Sequence, residues 1–150
     1  MSYYYTPYFV KLAKAEINHE TDDLRVLLVG TSHIEDDTQE FVGGIGTLDE
    51  LNGTGYTPGP GGSGRQTLDS RVVAADLVNK RAEMQMDNPI FAGLNAGDVK
   101  AAIVYKHNSG TDDNLNELIA YIDEGGFPFT SNGTNVTVIV DAEGFFSWGN

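Results

Sequence analysis

A chain of 150 residues with 40% hydrophobic and 10% aromatic content can build one domain around its own core but falls short of two. Nine basic residues face 22 acidic ones, and the formal net charge of −13 repels both phosphate backbones and anionic bilayers, so neither nucleic acid nor a membrane is an expected partner. The absence of cysteine removes disulfides, thiolate catalysis and cysteine-ligated metal sites together.

The opening, MSYYYTPYFVKLAKAEI, lacks the basic-then-apolar pattern of a secretory signal. Residues 1–9 form an aromatic arm. Tyrosine offers a large contact area with few torsions to freeze, so Tyr3, Tyr4, Tyr5, Tyr8 and Phe9 are assigned at least partly to an interface, with packing on the chain's own body as the alternative. Pro7 suits the first turn of a short helix running to about Ile17, with Phe9, Leu12, Ala13 and Ile17 at helical spacing. Asp22 and Asp23 open a strand over Leu24–Val29.

The acidic run Glu35, Asp36, Asp37 and Glu40 reads as a solvated face with a helical turn near 38–41. Residues 53–64, GTGYTPGPGGSG, read as a mobile surface loop. Gly59 and Gly64 have Walker-loop spacing, but Arg65 and Gln66 replace the lysine and hydroxyl that such a loop needs. Residues 67–75 and 81–86 read as strands turning at Asn79–Lys80, with Val72, Val73, Leu77, Met84 and Met86 as apolar positions. Ile90, Phe91 and Leu94 then fill the core from a loop.

The chain is organised around strands 99–106 and 118–123, each apolar on both faces and therefore buried from both sides. A polar loop containing Asn108, Ser109, Asp112 and Asp113 joins them. Beyond it, Asn132–Gly133 turns into a strand over 135–140. A second turn at 141–144 leads to Phe145, Phe146 and Trp148 in a last short strand. Many short strands, one N-terminal helix and frequent turns predict a mainly β single domain, a β-sandwich or jelly-roll-like barrel.

Reactive side chains do not cluster along the chain. His19, His33 and His107 are isolated and read as surface or turn residues. Asp112, Asp113 and Glu117 do not match a calcium loop and read as solvated acids. No serine sits in a nucleophile elbow. Neither an enzymatic activity nor a cofactor is expected.

Several pieces in fixed order resemble small virion structural proteins of tailed bacteriophages. They are LAKAEIN, DLRVLLVG, GTGYT, QTL, VVAADLVNKRAEM, AAIVYKH and ELIAYIDEGG, and together they span about Leu12 to Trp148. The resemblance implies a capsid decoration, or cement, protein: a β-rich homotrimer on the capsid exterior that clamps neighbouring major capsid protein subunits. It brings no catalytic residues. The sequence departs from the family at Pro58–Gly64, which looks like an insertion. A tail or head–tail junction protein is the first alternative reading. A host-surface or carbohydrate-binding module, using Tyr56 and Trp148, is the second.

Overall fold

Side chains that are apolar on both faces place three strands in the interior. The computed structural model describes residues 1–108, 110–139 and 147–149, and the chain is mainly β, with antiparallel sheets and an N-terminal helix. Strand β1 (Tyr3–Tyr4) leads into helix α1 (Thr6–Ala13), then β2 (Leu24–Val29) and β3 (Gln66–Thr67). Strands β4 (Val72–Asp76) and β5 (Arg81–Gln85) form a hairpin, followed by the short strands β6 (Ile90–Phe91) and β7 (Asp98–Val99). Strands β8 (Ala101–Lys106) and β9 (Glu117–Ile122) precede β10 (Phe129–Thr130), β11 (Val136–Thr137) and β12 (Ser147–Gly149). The main sheet has the order β1-β9-β8-β2-β3, β12-β5-β4 form a second, and β10 with β7 and β11 with β6 form two small ones. Among the described residues no sheet closes into a barrel. Ser109, Val140, the turn at 141–144, Phe145 and Phe146 lie outside the described residues.

Strand β8 pairs with β2 along its whole length, Leu24 opposite Lys106 and Val29 opposite Ala101, and with β9 on its other edge. With both edges paired and both faces covered, Ile103, Val104 and Tyr105 are fully buried. The β8–β9 register slips after Val104, which pairs with Ala120, while Tyr105 pairs with Leu118. The extra residue, Ile119, turns its carbonyl to the Tyr5 amide, so this bulge moors the start of α1 to the sheet. Ile103, Tyr105, Ala120, Ile122 and Val138 all belong to the buried core, and the register, Ile103 opposite Tyr121 and Ala102 opposite Ile122, puts Ile103 on the other face of the sheet from Ala120 and Ile122. Ile103→Ala is expected to cost about 2–5 kcal/mol by denaturant unfolding, the usual loss when a core aliphatic leaves a cavity. A loss below about 0.5 kcal/mol would move β8 out of the core.

Helix α1 is shorter than the spacing suggests. It ends at Ala13, and Ala15 sits at φ 57°, a left-handed conformation that stops the helix before Ile17. Ile17 is nonetheless buried in the core. The helical turn expected near 38–41 forms slightly later, as a 3₁₀ turn over Val42–Gly44. Phe91 and Leu94 fill the core as read, whereas Ile90 faces solvent. The hairpin turns where expected, but the strand read over 67–75 is split into β3, which pairs with β2, and β4; Val72, Val73 and Leu77 are exposed and only Met84 is fully buried.

Candidate functional site

Two histidines sit deeper than their isolated positions suggest. His19 and His33 are buried, not surface residues. His19 Nε2 lies 3.0 Å from the Tyr8 hydroxyl, which ties the end of the N-terminal segment to α1. His33 Nδ1 lies 2.9 Å from the Leu48 carbonyl and 3.1 Å from that of Thr47, and its ring stacks on Tyr121. Burial, reinforced by the Arg71 charge, lowers the His19 pKa to about 4, and burial also lowers that of His33. Both are therefore neutral in the fold and protonate more readily when unfolded. Their stabilisation is complete above the ordinary imidazole value and is lost as pH falls below it, for His19 down to about 4. For His19 that loss amounts to about 2 kcal/mol between pH 7 and pH 5. Urea midpoints across this window are expected to fall for the wild type and to flatten in His19→Gln. An unchanged slope in the variant would contradict the assignment.

In the acidic run Glu35, Asp37 and Glu40 are exposed, as read, and several of the chain's carboxylates are also paired. Glu35 pairs with Lys100, Glu40 with Lys11, and Glu117 with both Lys11 and Lys106, while Asp36 accepts from Thr38 and Gln39. Of the three candidate calcium ligands, Asp112 caps the turn at Asn114, Asp113 meets Arg65 and Glu117 meets its lysines, so they do not converge. Among the described residues no cluster of histidine and carboxylate groups has metal-binding geometry.

The tyrosine arm lies on its own body. Tyr3 and Tyr4 pair with Tyr121 and Ala120 as an edge strand, Tyr3 stacks on Tyr121 at 5.0 Å, and Tyr4 stacks on Tyr8 at 5.3 Å. Tyr5 and Tyr8 are core residues, and Tyr3 and Tyr4 are half-buried. Of the five residues assigned to an interface, only Phe9 is exposed, at 48%, with Val10 beside it.

The strongest electrostatic feature is Arg65, whose side chain is 1% exposed. Its guanidinium forks onto Glu50 (Nε to Oε1 2.8 Å, Nη2 to Oε2 2.6 Å) and onto Asp113 (Nη1 to Oδ1 2.6 Å, Nη2 to Oδ2 2.8 Å), and Nη1 donates to the Tyr105 hydroxyl. Burial alone would lower its pKa, but the two carboxylates outweigh it and hold Arg65 charged, just as Arg65 holds Asp113 below the usual carboxylate range. Tyr56 joins this knot from the glycine-rich loop. Its buried hydroxyl donates to Glu50 and accepts from the Leu28 amide, and Gly59 N–H also donates to Glu50. The first part of the loop is thus wrapped around a core tyrosine.

The remaining candidate is a surface. Among the described residues the most exposed large aliphatics are Val78, at 89%, and Leu77, at 85%, at the turn of the β4–β5 hairpin, with Val73 following along one face of β4 and Val72 exposed on the other. On an acidic body, such a patch is suited to contact instead of solvation. Comparison of the chain with protein-family models, curated proteins and solved structures gives no match.

Proposed function

We propose that the chain is a structural protein of a tailed-phage particle, a homotrimer bound to the outside of the capsid that clamps neighbouring major capsid protein subunits. The observation that carries this reading is the pairing of a solvent-facing apolar hairpin with a body whose perturbed ionisable groups, Arg65, Asp113, His19 and His33, are engaged in holding the fold. Such a molecule acts through area and complementarity, and threefold symmetry repeats each modest contact three times. The ordered motif resemblance between Leu12 and Trp148 points the same way. Burial of both faces of β8 and β9 supports a sandwich-like stacking of the main sheet between smaller ones.

A tail or head–tail junction role uses the same chemistry and is the second reading. The carbohydrate-binding alternative is weakened because Tyr56, one of its two candidate platforms, is a core residue. Dissociating the particle and probing separated heads and tails with an antibody to the chain tests the proposal. Recovery with heads is expected, and recovery only with tails would replace it by the junction reading.

A further inference from the structure

The β4–β5 hairpin extends an apolar face beyond the core. Val73 pairs with Met84 and Ala75 with Ala82, so these four residues share one face, while Val72, Ala74 and Asp76 share the other with Gln85, Glu83 and Arg81. Met84 is buried at one end of the apolar face, Val73 and Ala75 are exposed along it, and Leu77 and Val78 finish it at the turn. The turn is held by its own hydrogen bonds. The Asp76 carboxylate accepts from the amides of Val78 and Asn79 and from the Asn79 side chain, and Lys80 adopts φ 55°. Leu77 and Val78 are therefore held outward before any partner arrives, which lowers the entropy lost on docking. At the outer edge of β4, the Val73 amide donates to the Glu20 carboxylate. That carboxylate blocks part of the edge, so the hairpin offers side-chain surface more than a slot for an added strand.

Charge selects the occupant. The hairpin, residues 72–85, holds two of the nine basic residues (Lys80, Arg81) and two of the 22 acidic ones (Asp76, Glu83), net zero against −13 for the rest of the chain. Arg81 pairs with Asp76 and Glu83, leaving Lys80 exposed next to the apolar turn. We propose that this hairpin docks head to tail on the acidic body of a second copy of the same chain. Two bodies of this charge repel each other on most approaches, and the approach that sets the apolar, net-neutral hairpin, with Lys80 exposed at its turn, against a body escapes that repulsion. A hairpin-to-hairpin contact would bring Lys80 toward Lys80. The contact is therefore heterologous, the kind that closes into rings. The inference deepens the proposed function and rests on it for the use of the ring, while the contact itself is measured on the isolated chain.

The test is sedimentation velocity of the full chain, wild type and Leu77→Asp/Val78→Asp, at micromolar concentrations and at low and high salt. Both positions are exposed, and circular dichroism checks that the variant is folded. The wild type is expected to self-associate, and the double variant to be shifted toward monomer by at least about tenfold in Kd. Lys80→Glu is expected to weaken association at low salt. Excess double variant, whose body remains intact, is expected to cap wild-type assemblies and break them down. A wild type that stays monomeric overturns the inference, as does a double variant that assembles normally or wild-type assemblies that resist capping. Monomeric wild type that still binds capsid shells would overturn the inference and the free trimer together, and leave capsid binding standing. Self-association through the hairpin without shell binding would support the inference and count against that reading.

Discussion

Replacing Arg65 with methionine is expected to cost about 3–5 kcal/mol of folding stability. The guanidinium bridges Glu50, from the segment after β2, and Asp113, from the turn between β8 and β9, and its centre lies 5.2 Å from the Tyr105 ring centroid. Removing it leaves the Glu50 carboxylate, 8% exposed, without its countercharge, and that desolvated anion accounts for most of the loss. Asp113, at 23%, is closer to water and contributes less. Adding Glu50→Gln to the variant is expected to recover part of the loss, since it removes the stranded charge. Denaturant unfolding of the two single variants and the double measures the coupling. A loss below about 1 kcal/mol for Arg65→Met would show that water reaches Glu50 easily and that the knot contributes little.

The second large effect is expected at Tyr56. Tyr56→Ala empties a fully buried aromatic site stacked on Phe91 and is expected to cost about 3–5 kcal/mol. Tyr56→Phe keeps the ring but strands the Leu28 amide, and is expected to cost about 1–3 kcal/mol. Gly64→Ala attacks the same packing from outside, because a Cβ there would overlap the Tyr56 ring, and a loss of about 1–3 kcal/mol is expected. These effects do not add to that of Arg65→Met, since Tyr56 and Arg65 share Glu50. Near-neutral values for both Tyr56→Phe and Gly64→Ala would return the loop to the status of an unanchored connector.

The strands legible in the sequence are those whose burial leaves no choice of face. Leu24–Val29 and the pair at 99–106 and 118–123 are apolar on both sides, and they became β2, β8 and β9 with shifts of one or two residues at their ends. The hairpin at 72–85 was legible as a hairpin, but alternation does not say which apolar residues reach the core. Met84 does, and Val72, Val73 and Leu77 do not. Arg65 and Tyr56 were missed because glycine and proline around them signal a loop, and their partners Glu50, Asp113 and Leu28 lie 6 to 48 residues away. The buried histidines were missed for the same reason: the Tyr8 hydroxyl and the Leu48 carbonyl that fix them are not sequence neighbours.

The most direct test of the account is binding to shells. Emptied tailed-phage capsids that lack the chain are mixed with the purified protein, sedimented, and imaged by electron microscopy. Co-sedimentation that saturates, with added density at symmetry-related positions on the outer surface, is the predicted result. A chain that stays in the supernatant at saturating concentration, while binding to isolated tails from the same particles, would contradict it.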